Sequence, residues 1–228
     1  MIVKKYRSEV VSVENPVADI RTVTLRPLEK AYKYNPGQFL HLALDEYDPA
    51  RPWPESRCFS MQSSPEQETI KITFAAKGKF TARMALELAP GKVIHVKLPY
   101  GDLFSAEHEK RGAVFIAGGT GITPFLSLFT SLAFAAYGGP KLYFGVRNPA
   151  HHLYAADLEK AKAVNSSFHV KLMNEEKDGR LDIRKIFKEN GPSSVYFISG
   201  PPVMIKNFKA CLAEKGVPAG NIRTDDWE

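Results

Sequence analysis

The chain has 228 residues, 44% of them hydrophobic and 25% charged, which suits one large or two ordinary globular domains with a substantial core. No stretch approaches the run of about 20 apolar residues that spans a bilayer, and Met1–Tyr6 turns polar at once, without the apolar segment of a leader peptide. The formal charge of +6 is scattered rather than massed as in a nucleic-acid binder. Cys58 and Cys211 cannot make a zinc or iron–sulfur ligand set by themselves, and a disulfide framework is not expected, so a reducing cytoplasm is the default location.

The first half reads as short alternating strands: Tyr6–Val13, Ile20–Arg26, Gln38–Leu44, Arg57–Gln62, Thr69–Ala75 and Val93–Lys97. Turn chemistry such as Asn15-Pro16, Asn35-Pro36-Gly37 and Pro90-Gly91 separates them. This spacing predicts an antiparallel β-barrel, with one helix at Phe80–Leu88. A polar, charged stretch at Ser105–Arg111 then marks a boundary, giving domains of 1–107 and 108–228. Beyond it the pattern becomes strand–helix–strand, an α/β domain with an open parallel sheet. Ala113–Ala117 is an almost purely apolar run, as in a strand buried on both faces. It leads through a glycine-rich turn to a predicted helix, Phe125–Ala136, with Pro124 at its first turn. Strands at Lys141–Val146, Phe168–Leu172 and Ser194–Ser199 follow, with helices at Ala155–Ala163, Ile183–Asn190 and Val203–Lys215.

Four segments carry chemistry. The strongest is Gly118-Gly119-Thr120-Gly121-Ile122-Thr123-Pro124, directly after a buried strand. Its glycines would let the backbone approach a pyrophosphate, and the helix start behind it offers free N–H groups. Its spacing is not the G-x-G-x-x-G fingerprint, and a tight turn without a ligand is the alternative. A second is Gly78-Lys79-Phe80-Thr81, where Thr81 could cap the helix and touch a phosphate, with Lys79 and Arg83 nearby; a capped surface helix with solvated cations serves equally. In Arg57-Cys58-Phe59-Ser60 an arginine can hold a pyrophosphate and a ring can stack on a planar cofactor, although such a strand is often only a strand. Finally, Ser199-Gly200-Pro201-Pro202 ends a strand on the side where open α/β sheets bind ligands.

Taken with Pro36-Gly37-Gln38-Phe39, Pro99–Phe104 and Tyr143–Arg147, these motifs occur in the order and approximate spacing of one family. Over essentially its whole length the chain resembles the ferredoxin–NADP reductase superfamily. The resemblance implies an N-terminal flavin-binding barrel and a C-terminal NAD(P)-binding domain, with nicotinamide meeting flavin between them. It implies FAD in preference to FMN, with NADPH or NADH as the reductant. By position, Arg57 would bind the flavin pyrophosphate, Phe59 stack on the isoalloxazine, and Ser60 bond near flavin N5. Gly78, Lys79 and Thr81 would make the second phosphate contact. Gly118, Gly119, Thr120 and Gly121 would line the dinucleotide path, opposite Gly200 and Pro201.

The chain departs from the family at two of these positions. Phe59 stands where Tyr is common, keeping the stack and losing a hydroxyl. Ser199 stands where Cys is common, beside the hydride position, so Ser60 and Ser199 are the residues expected at the reacting atoms. Trp227 could shield the flavin until nicotinamide displaces it, or simply pack on the surface.

The cofactors carry the bond chemistry, so no histidine acid–base dyad is assigned. The strand Lys141–Val146 ends in Arg147 with no Asp or Glu beside it; Arg147, with Arg180, could meet a 2′-phosphate, which leans the reading toward NADP. Related chains often carry a fused iron–sulfur domain, and this one lacks the four clustered cysteines. Electrons would therefore leave to a separate protein (ferredoxin, flavodoxin or an oxygenase component) or to a small-molecule acceptor. The scattered cations are either a solvated surface or steering for anionic ligands or an acidic redox partner. The rival from another class is a non-catalytic flavoprotein subunit or regulatory module.

Overall fold

The computed structural model describes residues 2–225. The chain forms two compact units, the first ending at Asp102 and the second beginning at Leu103. Leu103 is buried as part of the second unit's core.

The first unit is a six-stranded antiparallel sheet in the order β4-β3-β6-β1-β2-β5. Its strands are β1 (Lys4–Val17), β2 (Ile20–Pro27), β3 (Phe39–Ala43), β4 (Ser56–Ser60), β5 (Ile70–Ala75) and β6 (Val93–Tyr100). Just past β4 the Gln62 amide donates to the Lys71 carbonyl of β5 at 2.9 Å, so the two end strands meet and the sheet curls into a barrel. Alternation fills the interior with Leu25, Leu40, Leu42, Ile70, Ile72, Ile94, Val96 and Leu98, all fully buried. Each such side chain contributes about 1.5–3 kcal/mol on burial. Helix α1 (Lys79–Glu87) adds Phe80 and Met84 to this core.

The motif glutamine Gln38 joins three segments here. Its Oε1 accepts from the Asn35 amide (2.7 Å), its Nε2 donates to the Gly101 carbonyl (2.8 Å) and its backbone carbonyl accepts from the Met61 amide (3.0 Å).

The second unit is a five-stranded parallel sheet in the order β11-β10-β7-β8-β9. Its strands are β7 (Val114–Gly118), β8 (Lys141–Val146), β9 (His169–Asn174), β10 (Tyr196–Ser199) and β11 (Ile222–Thr224). Its helices are α2 (Thr123–Phe129), α3 (Ala155–Val164), α4 (Glu175–Asp178), α5 (Ile183–Asn190) and α6 (Pro202–Glu214). Phe115 and Ala117 face one layer, an aromatic cluster in which Phe115 stacks on Phe197 with centroids 5.0 Å apart. Val114 and Ile116 face the other, against Ile205, Phe208 and Leu212 of α6.

One predicted helix is corrected. Phe125–Ala136 is not continuous: α2 ends at Phe129, and a 3₁₀ turn covers Leu132–Ala136. The apolar pattern runs on, but the backbone chemistry stops it. The Thr130 hydroxyl donates back to Leu126 O at 2.7 Å, and Ser131 turns extended and accepts from the Ala133 amide. Among the described residues no helix is long and apolar enough to cross a membrane.

Candidate functional site

In the first unit, strand β4 and the start of α1 bring two distant motifs together. The Arg57 guanidinium stands 5.1 Å from the centre of the Phe80 ring, at the N-terminal turn of α1. Its Nη2 is paired with Glu55 Oε1 at 2.8 Å, and its Nη1 donates to Ser56 O. The arginine therefore carries its own counter-ion, half exposed, which an anionic ligand would replace. Phe59 is 8% exposed and lies 5.9 Å from Phe74. Ser60 is buried opposite Phe39.

The role expected for Thr81 changes in detail. Gly78, in extended conformation, is the N-cap of α1, and Thr81 sits at the third helical position. The Thr81 hydroxyl oxygen accepts from the amides of Lys77 (3.1 Å) and Gly78 (3.0 Å) and donates to Gly78 O. It thus shapes the turn from within the helix rather than capping it from outside. Lys79 is exposed. Arg83 is not free for a ligand, because Asp45 (2.8 Å) and Glu87 (2.9 Å) hold it. Those hydrogen bonds raise its pKa further and push the Asp45 and Glu87 carboxyls below their usual range. Arg57, Lys79 and the amides at the start of α1 form a donor set whose chemistry fits a pyrophosphate.

In the second unit, the turn after β7 and the turn after β10 lie against each other. A Cβ on Gly121 would come within 2.5 Å of the Cα and N of Gly200, and one on Gly118 within 3.0 Å of Pro201 Cδ. Gly200 itself, at φ +154°, would drive a Cβ to 2.7 Å from Met204 Cε. Gly119 differs: its φ of +55° demands glycine, and the space beside it is open. Gly118 and Gly121 therefore allow one turn to touch the other, whereas Gly119 serves backbone conformation. Thr120 follows, half-buried, its carbonyl accepting from the Thr123 hydroxyl at 3.0 Å.

Ser199 is 2% exposed, and its hydroxyl donates to Asp225 Oδ2 at 3.1 Å. The Asp225 amide in turn donates to Ile198 O, continuing the β10–β11 pairing. Asp225 was missed in the sequence, where β11 is too short to show a pattern. Trp227 lies outside the described residues.

Arg147 is exposed at the end of β8. A carboxylate does stand there, contrary to the sequence reading. The Glu176 amide donates to Arg147 O (3.2 Å), and Glu176 Oε1 accepts from Asn148 Nδ2 (3.1 Å). Arg180 is ion-paired with Glu175 at 2.6 Å.

Residues 115–210 match the family model described as an oxidoreductase NAD-binding domain. The chain is 26% identical to the reductase component of propane 2-monooxygenase from Mycolicibacterium smegmatis, over 99% of this chain and 68% of that protein. It is also 26% identical to a reductase component of terephthalate 1,2-dioxygenase from a Comamonas species, covering 97% and 68%. Among solved structures, a ferredoxin NADP+ reductase from Neisseria gonorrhoeae with bound FAD and NADP has the same fold. Its TM-score is 0.78 at 19% identity, over 93% of this chain and 92% of that one.

Proposed function

We propose that this chain is a member of the ferredoxin–NADP reductase superfamily and acts as an NAD(P)H-dependent flavoprotein reductase. In this reading it oxidises NAD(P)H on bound FAD and delivers the electrons to a separate acceptor. Residues 1–107 are the FAD-binding domain and 108–228 the NAD(P)-binding domain. One observation within the chain carries the proposal: Arg57 and the Gly78–Thr81 turn, distant in sequence, share a single cation-and-amide site around Phe80.

Arg57 and Lys79 hold the flavin pyrophosphate at the turn that the Thr81 hydroxyl shapes, the Gly78 backbone gives it room, and Phe59 and Ser60, on opposite pleats of β4, are assigned to the ring from the two sides of the strand. Gly118, Gly119, Thr120, Gly121, Gly200 and Pro201 form the dinucleotide path, with Arg147 toward the nucleotide's ribose. Ser199, fixed by Asp225, orients the nicotinamide. When bound, the flavin supplies the hydride-accepting ring, and the protein supplies orientation and exclusion of water. The reductase components of oxygenases among the relatives make an oxygenase, or the ferredoxin that serves it, the favoured acceptor. Two unpaired thiols accord with a reducing cytoplasm.

The test is a spectrum of purified protein before and after anaerobic NADPH and, separately, NADH. A flavin spectrum bleached by either supports the reading, and relative initial rates decide the nucleotide. Protein that takes up no added flavin refutes it.

A further inference from the structure

The anion-binding groups of the first unit are satisfied from within the chain. The amides of Lys77 and Gly78 both donate to the Thr81 hydroxyl oxygen. Arg57 Nη1 donates to the Ser56 carbonyl at 2.9 Å, and its Nη2 donates to Glu55 Oε1 at 2.8 Å. Four donors therefore already hold oxygens of the protein, and of those oxygens only that of Glu55 belongs to a charged group.

The charge count around the turn makes that difference matter. Arg83 is spent on Asp45 and Glu87, and Arg57 on Glu55. Among the described residues, Lys79 alone of these three cations enters no ion pair, and it is exposed. With Arg57 neutralised, a doubly charged pyrophosphate meets one free cation where the residues supply three.

Glu55 is not needed to place the guanidinium. The Ser56 carbonyl holds one end of it, and the Phe80 ring lies 5.1 Å from its centre. What Glu55 adds is a negative charge two positions from the arginine, where extended backbone brings both side chains to one side. Both partners are half exposed. An ion pair so placed is weak enough to be opened by a ligand, yet the displaced carboxylate stays beside the incoming phosphate and repels it.

We propose, building on the flavin reading above, that Glu55 is a built-in competitor for the flavin pyrophosphate. It masks Arg57 and so sets how tightly the chain retains its flavin, without itself contacting the cofactor. The flavin of this chain then exchanges more readily than the cation-and-amide set alone would allow.

The experiment titrates apoprotein of the full chain with FAD and reads Kd by calorimetry. It compares the unmodified chain, Glu55→Gln, Arg57→Ala and the double variant, with Glu68→Gln as an exposed control in the same unit that makes the same change in charge. Gln keeps the size of Glu and an acceptor oxygen for the arginine, so the charge is what the substitution removes. FAD should bind about two- to fivefold more tightly to Glu55→Gln, the scale of an exposed ion pair, and Glu68→Gln should leave Kd unchanged. Arg57→Ala should cost more affinity when Glu55→Gln is already present, because an unmasked arginine has more to lose. Unchanged or weaker binding by Glu55→Gln would overturn the proposal, and weaker binding would mark Glu55 as a support for Arg57. Equal tightening by Glu68→Gln would also overturn it, as would an Arg57→Ala loss that is no larger in the double variant. Anaerobic NADPH and NADH are added to the FAD-loaded proteins in parallel. FAD that binds but is bleached by neither nucleotide refutes the reductase reading, while the Kd values still judge Glu55. FAD taken up by none of the variants refutes both.

Discussion

At Gly78–Thr81 the chain holds a turn with a side chain; at Gly118–Gly121 it holds one by having none. In the barrel the Thr81 hydroxyl accepts from two amides and Arg57 is neutralised by Glu55. These polar groups are exposed or half exposed, and each can be removed singly. In the α/β unit Gly121 and Gly200 are in backbone contact, leaving no room for a Cβ. The first site is built from separable polar contacts and should fail by degrees. The second is a steric fit and should fail abruptly.

Substituting the tightest position tests that contrast most severely. Gly121→Ala places a methyl 2.5 Å from backbone atoms and should cost about 3 kcal/mol or more. A large fall in melting temperature, with lost nicotinamide binding, is the expected readout; a variant as stable as its parent breaks the comparison. Arg57→Ala should weaken FAD retention roughly tenfold to a hundredfold, in line with about 1.5–3 kcal/mol for charged hydrogen bonds, and leave folding intact. Titration of apoprotein with FAD measures it.

Asp225→Asn should slow the bleaching of flavin by nicotinamide about tenfold, near 1.4 kcal/mol, without changing flavin content. Ser199→Ala should do the same, and the double variant should be little worse than either, because the two share one hydrogen bond. Stopped-flow traces would show additive losses if the pair acts independently. Thr81→Ala should cost about 1 kcal/mol of stability, the usual scale for a lost helix-terminal contact, with a modest loss of FAD affinity.

The smallest effect is a pH dependence. Burial lowers the pKa of His41, His95 and His108 from 6.5. As the pH falls through 6.5 the unfolded chain binds protons before the folded one does, so stability declines below that value. Urea midpoints at pH 7.5 and 5.5 would show it, and a flat profile would contradict it.

The parts of this molecule legible in the sequence are those specified by local chemistry. Lys141–Val146 and Ile183–Asn190 have the bounds that were predicted. The first is an apolar run between Gly139-Pro140 and Asn148-Pro149. The second is capped by Asp182, whose side chain accepts from the Arg184 amide, and closed by Gly191 at φ +78°. What escaped was set by distant segments. The three-residue β11 exists because it pairs with β10, and that pairing delivers Asp225 to Ser199. The carboxylate at the end of β8 comes from α4, nearly thirty positions on. The motif order pointed to Arg57 and Thr81, while the pairing of Arg57 with Glu55 and the inward turn of the Thr81 hydroxyl are set by side-chain geometry in the folded chain.

Gln38 carries a wider consequence. It stands in a motif that contributes to the resemblance to a flavoprotein family, yet its side chain spends both ends on the Asn35 and Gly101 turns. An asparagine, one methylene shorter, could not span that gap. A sequence signature can therefore persist as carpentry, a joint whose length is dictated by the frame, and a designer transplanting this barrel would have to carry the joint along with the cofactor contacts.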